Sequence, residues 1–187
     1  MRVIRSPYIY MNGQFTSAQD IHSGGSPCRL VVRKQRGTAE VLQFVVAGLE
    51  NGQQVVVLAG PTCLKDLAAS LTESGLKPDA LLRNGRLIFL TAPKCLAQLS
   101  HPDEILQRGP LRHTAPLLRW VSDWSWAYAN GMSPAEILGY QRCVHDFARS
   151  LTALSICTVH CQKIERGSLL AMLADHRRAA RAVWGTV

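Results

Sequence analysis

The stretch "LVVRKQRGTAEVLQFVVAGLENGQQVVVLAG", residues 30–60, holds two apolar runs on either side of an amphipathic segment. Between the runs, Val41, Leu42, Val45, Val46 and Leu49 recur at helical spacing, and Asn51-Gly52 supplies the stop. The flanking "CRLVV" and "QVVVLAG" are continuously apolar instead of alternating, as strands buried on both faces of a parallel sheet are. The unit reads as strand, helix, strand, and the alternation continues outward. "PTCLKDLAASLTESG" predicts a helix ending at Gly75, and "KPDALLRNG" a short helix with Pro78 in its first turn. "RLIFLTAP" is a third strand, stopped by Pro93. Residues 114–130 read as a helix closed by Asn130-Gly131, and the next helix opens on a capping box of Ser133, Pro134 and Glu136. "ALSICTV" predicts a central strand, and "GSLLAMLADHRRAARAV" a closing helix with Ser168 as its N-cap. The class is α/β: a mostly parallel central sheet with helices on both faces.

Ahead of this body, residues 28–187, lies a separate segment, residues 1–27. Asn12-Gly13 between β-prone runs predicts a β-hairpin over 8–17, and "HSGGSP" a flexible connector after it. The hairpin either caps a sheet edge or pairs with a second chain, so a homodimer is one arrangement it permits. Its Tyr8, Tyr10 and Phe15, with Trp120 of the 114–130 segment, are candidate partner-surface residues.

With 187 residues, 47% hydrophobic and only 18% charged, the chain has the composition of a globular domain with a substantial core. No apolar run reaches the roughly 18–20 residues of a membrane span. The opening "MRVIRSPYIYMNG" lacks the apolar region of a signal peptide, so the expected compartment is the cytoplasm. The six cysteines are then expected to be reduced and buried, as Cys143 and Cys157 inside apolar runs suggest. A net charge of +8 permits anionic partners, nucleic acid among them. The basic residues are dispersed, however, and no helix-turn-helix, zinc-finger or RRM signature is present, so nucleic acid is not favoured.

In parallel α/β sheets, ligands sit outside the carboxyl ends of the strands. Four loops are therefore of interest: 33–38, 59–62, 91–94 and 160–166. The first, "RKQRGT", falls where a P-loop would, but it has neither the first glycine nor the Lys-Ser/Thr order that cradles phosphate and Mg²⁺. It keeps Arg33, Lys34, Arg36 and Thr38 at a helix N-terminus, which suits weaker anion binding. Thr38 is also sufficiently explained as that helix's N-cap. No G-x-S-x-G, H-E-x-x-H or C-x-x-C occurs. "CTVHC" holds Cys157, His160 and Cys161, but on a strand His160 faces away from the two thiols, so no metal is assigned. Trp120, Trp124, Trp126 and Tyr128 read mainly as core, with one or two rings available to a ligand cavity.

The order of these pieces resembles the methanogen/methylotroph sensory domain (MEDS) family, named partly for the repressor of dichloromethane dehalogenase. The resemblance covers roughly residues 28–180, through "AEVLQFVVAGLENGQQVVVLAGP", "GLKPDALLRNGRLIFLTAP", "LLRWVSDWSWAY", "LSICTVHC" and "LLAMLADHRRAA". It implies a RecA/KaiC-like domain whose P-loop is lost, in agreement with "RKQRGT". It also implies a non-catalytic sensory or regulatory module in transcriptional or two-component-type signalling, acting through a small-molecule effector or a regulatory protein, with no cofactor. The family's acidic residue before a tryptophan falls at Asp123, while a second acidic position falls at Tyr140 or Gln141. Asp123, Trp124, Cys157 and His160 complete the candidate ligand-binding set. The competing readings are a RecA-descended nucleotide switch or ATPase and a nonspecific nucleic-acid binder.

Overall fold

In the computed structural model the chain is described at residues 28–33, 39–91, 118–150, 153–160 and at Gly167. The described elements, in chain order, are β1 (Cys28–Arg33), α1 (Ala39–Glu50), β2 (Gln54–Ala59), α2 (Pro61–Glu73), α3 (Pro78–Arg83), β3 (Leu87–Thr91), β4 (Leu118–Asp123), α4 (Ser125–Ala129), α5 (Pro134–Ser150) and β5 (Ala153–His160). The five strands form one sheet in the order β1-β5-β4-β2-β3. Every pairing between neighbours is parallel. The α/β class expected from the sequence is what the chain adopts.

Helix placement follows from strand order. Connections from β1 to β2 and from β2 to β3 run one way along the sheet, and that from β4 to β5 runs the other way. Because crossovers are right-handed, opposite directions put their helices on opposite faces. One core accordingly packs α1, α2 and α3 (Val41, Phe44, Val45, Leu64, Leu67, Leu81) against Val55, Val57 and Ile156. The other packs Ala127 of α4 with Ile137 and Val144 of α5 against Val56, Trp120 and Cys157.

Two stops read from the sequence close by the same device. At the end of α1, Gln53 N–H donates to Gly48 C=O at 2.9 Å, and after α2 Leu76 N–H donates to Leu71 C=O at 3.0 Å. Between the bonded residues sit Gly52 and Gly75 at φ of 74° and 82°, a left-handed conformation that costs glycine little. The capping box of α5 also forms: Ser133 N–H and Oγ–H donate to Glu136 Oε2 at 2.8 and 2.7 Å, and Glu136 N–H donates back to Ser133 Oγ at 3.3 Å.

One expectation is overturned. The described part of 114–130, residues 118–130, is not one helix: 118–123 are β4 and 125–129 are helical. Trp120 and Trp124, four apart, share a face on a strand as they nearly do on a helix, so that spacing cannot separate the two. What decides is position: β4 lies between β2 and β5, all six of its residues are buried, and both its edges are hydrogen-bonded. Trp120 is consequently 1% exposed, in the core under α5, and is not a partner-surface residue. Cys143 is corrected in the opposite sense: it is exposed, because Ile137, Gln141 and Val144 turn the buried face of α5 away from it. Cys63, Cys143 and Cys157 are not in disulfide bonds.

Helix α1 is anchored by a buried cation. Arg119 of β4 is 2% exposed; its Nε donates to Gln53 Oε1 at 2.5 Å and its Nη1 to Phe44 C=O at 2.8 Å. The guanidinium carbon lies 4.7 Å from the Phe44 ring centroid, within cation–π range. Burial lowers the Arg119 pKa from its ordinary value. Arg86 donates to Leu49 C=O at the same helix end, where the helix dipole favours cations.

Candidate functional site at the carboxyl ends of the strands

All described strands are parallel, so their carboxyl ends share one edge of the molecule. Neighbours β2 and β4 send their connections in opposite directions, and a crevice is expected outside their ends. Its wall on the β4 side starts with Asp123. Asp123 Oδ1 accepts from Thr158 Oγ1–H at 2.8 Å and from Ser125 Oγ–H at 2.9 Å. Both Asp123 and Thr158 are buried, and strand alternation places them on the α1 side of the sheet. Trp124 N–H donates to Thr158 C=O at 2.9 Å, extending the β4–β5 pairing one residue and fixing where α4 begins.

On the β2 side the chain turns at Gly60 into α2, with Pro61 in the first turn. A Cβ at Gly60 would stand 2.9 Å from Trp126 Cβ. Trp126 thus rests directly on the β2 end, and glycine is what permits that approach.

Four buried side-chain polar atoms have no hydrogen-bond partners among the described residues. They are Nε1 of Trp124, Nε1 of Trp126, and both Nε2 and Oε1 of Gln141. Gln141 is 1% exposed and Trp124 is fully buried. Trp124 belongs to the cluster built by Trp120, Ile137, Val144 and Cys157, and Trp126 packs against it. Gln141 shares its helix face with Ile137 and Val144. The neighbouring Trp120 Nε1–H is satisfied by Ser122 Oγ at 2.8 Å. Each orphaned group costs about 1–3 kcal/mol against a hydrogen-bonded one. Burial also raises the pKa of Tyr128, which packs at the border of this cluster.

The residues expected from the sequence divide accordingly. Asp123, Trp124 and Cys157 come together at the β4 and β5 ends, with Asp123 on one face and Trp124 and Cys157 in the core of the other. Arg33 and His160 are register partners at the ends of β1 and β5. Lys34, Arg36 and Thr38 lie outside the described residues, as do Tyr8, Tyr10 and Phe15 with the 8–17 hairpin. Reading 114–130 as a helix hid the loop 123–125 from the set of strand ends, and with it Ser125 and Thr158. The signal there is weak: "LRWVSD" mixes Leu118, Trp120 and Val121 with Arg119 and Ser122 before its closing carboxylate, short of the continuous apolar run of a buried strand. Gly60 and Gln141 carry no such signal.

Among the described residues no three His, Cys, Asp or Glu side chains are grouped to hold a metal ion, and no helix is long and apolar enough to cross a membrane. A comparison with curated proteins found no match. The profile of the MEDS family, the methanogen/methylotroph, DcmR sensory domain, matches residues 27–177. The chain belongs to the MEDS family. MEDS is a sensory domain, and the match spans every described element, so the strand-end crevice belongs to that domain.

Proposed function

We propose that this MEDS domain is a non-catalytic sensor that binds a small effector in the crevice between the β2 and β4 ends. The signal would pass to a regulatory protein or a second copy of the chain, in transcriptional or two-component-type control. One observation carries the reading. At the reversal of strand order lie the Trp126 indole, resting on Gly60, and a carboxylate held by two hydroxyls, a wall suited to holding a ligand. The test is a thermal-shift series on the purified protein with small neutral organics, simple anions, and ATP or ADP with Mg²⁺. Binding at about 100 times the dissociation constant adds roughly 2.7 kcal/mol. A rise in melting temperature with a small organic, lost on Trp126→Ala, supports sensing in the crevice. If no compound moves the transition, small-molecule sensing fails and a protein partner becomes the remaining form of the reading.

A second reading, a RecA-descended nucleotide switch, draws on one arrangement. Asp123 ends the strand two places from β1, with β5 between them, and β1 leads into the basic loop "RKQRGT". A carboxylate so placed could hold Mg²⁺ against a phosphate at that loop. It requires a Mg²⁺-dependent nucleotide shift that Asp123→Asn removes.

A further inference from the structure

Three asparagine–glycine pairs follow helices of this fold: Asn51-Gly52 after α1, Asn84-Gly85 after α3 and Asn130-Gly131 after α4. A fourth, Asn12-Gly13, lies outside the described residues. We infer, independently of the sensory reading, that Asn84 is a modification site: of the three described pairs it is the one the folded protein deamidates first, with water as the co-reactant.

Glycine has no Cβ to crowd its backbone nitrogen, so an asparagine before glycine meets the least steric hindrance to this reaction. The Gly85 nitrogen gives its proton to hydroxide or a buffer base and attacks Asn84 Cγ. The N–Cγ bond forms, the Cγ–Nδ2 bond breaks, and Nδ2 takes up a proton and leaves as ammonia. Water then opens the resulting succinimide at either carbonyl, giving aspartate or isoaspartate. One water enters and one ammonia departs; nothing is oxidised or reduced.

Much is alike at the three sites. All three asparagines are exposed, and the glycines that follow sit at φ of 74°, 73° and 72°. Each glycine N–H donates to the C=O three residues back, at 3.2 Å in every case. Asn84 and Asn130 also share a backbone conformation, with ψ of 0° and 15°, so the rotation that brings the glycine nitrogen onto Cγ is similar for both. The side chains differ. Asn51 Nδ2 donates to Ala47 C=O at 2.8 Å, and Asn130 Nδ2 donates to Trp126 C=O at 2.7 Å. Those bonds hold the amide back along the preceding turn, away from the glycine, and must break before attack. Asn84 points its amide the other way: Oδ1 accepts from Arg86 N–H at 3.0 Å, across Gly85. Cγ is thereby turned toward the peptide that attacks it, and a donor on its oxygen draws charge from that carbon.

The products separate the sites in the same direction. A carboxylate at 84 still accepts from Arg86 N–H, whereas at 51 or 130 it cannot donate and is left facing a carbonyl oxygen. Conversion at 84 falls at the entry to β3, where Gly85 C=O accepts from Gln54 Nε2 at 2.7 Å and Arg86 C=O from Val55 N–H at 2.8 Å. An isoaspartyl link adds a methylene to the main chain there.

The experiment ages the full chain in mildly alkaline buffer, folded and in urea, digests it after lysine, and follows deamidation by mass spectrometry. Lys34, Lys65, Lys77, Lys94 and Lys163 divide the chain so that Asn12, Asn51, Asn84 and Asn130 fall in separate peptides. In the folded chain Asn84 should convert faster than Asn51 and Asn130 by about threefold or more, the rate equivalent of one hydrogen bond of ordinary net strength. Urea should bring the three rates together, since the following residue is the same at each. Equal rates in the folded chain, Asn51 or Asn130 ahead, or no conversion at Asn84 while the urea sample converts would each overturn the inference. An Asn84 lead as large in urea overturns it as well, because the sequence and not the fold would then be its cause. As a second measurement, Asn84→Asp should lower the melting temperature less than Asn51→Asp or Asn130→Asp, and the reverse order would also overturn the assignment.

Discussion

Two glycines carry more of the architecture than their lack of a side chain suggests. Gly48 of α1 lies where a Cβ would be 2.6 Å from Arg119 Cδ and 3.0 Å from Val55 Cγ2. The guanidinium that crosses beneath the helix to Phe44 C=O occupies the missing volume. Gly48→Ala is therefore expected to destabilise by about 1–3 kcal/mol through overpacking. For a chain of this size that lowers the melting temperature by roughly 2–4 °C per kcal/mol. Because the clash is with Arg119 Cδ and Nε, combining Gly48→Ala with Arg119→Ala, which removes both atoms, should cost less than the sum of the two, with a coupling of about 0.5–3 kcal/mol. Strict additivity in a denaturant double-mutant cycle would show that the crossing does not set the spacing. Gly60→Ala is a separate case, since its neighbour is Trp126 in the crevice wall. We expect a displaced indole, read as a shifted tryptophan emission maximum at a modest loss of stability; an unchanged spectrum would contradict the packing described. Neither glycine is marked in the sequence, because the side chain each accommodates comes from a residue more than 60 positions away.

At the level of the element, helix ends were legible and one segment was not. The capping box of α5 was visible as Ser133-Pro134-Ala135-Glu136 because capping is a contact between residues three apart. The donors of Ser133 hold the Glu136 carboxyl below its ordinary pKa, first through the side-chain hydroxyl and then through the backbone N–H. A folded-state pKa lowered in this way stabilises above the unfolded value and is lost as pH falls through the folded one. Relative to Glu136→Gln, wild type should hold a melting-temperature advantage above the ordinary glutamate pKa of about 4.3 that disappears as the pH is taken progressively below it. A constant difference across that range would separate the box from the charge of Glu136. Ser133→Ala should cost about 0.5–2 kcal/mol at neutral pH. The segment 118–123 was not legible in the same way. Its Trp120–Trp124 spacing fits either period, and what makes it a strand is pairing with β2 on one side and β5 on the other.

Across the whole molecule, the sheet order β1-β5-β4-β2-β3 places β4 at the centre of the described strands with β2 beside it, and all six residues of each are buried. Their amides should be among the slowest to exchange with solvent, with opening free energies near that of global unfolding, and slower than those of β3 at the end of the order. Faster exchange in β4 than in β3 would be incompatible with the sheet described. The α/β class, the parallel strands and the ends of α1, α2 and α5 were all determined by the sequence, because each depends on residues within a few turns of one another. Only the tertiary structure decided that β4 is a strand. It also joined Asp123 with Ser125 and Thr158, rested Trp126 on Gly60, and buried Gln141 and two indole nitrogens without partners among the described residues. The crevice lies at a reversal of strand order, and strand order depends on which distant segments pair, a quantity no local period records.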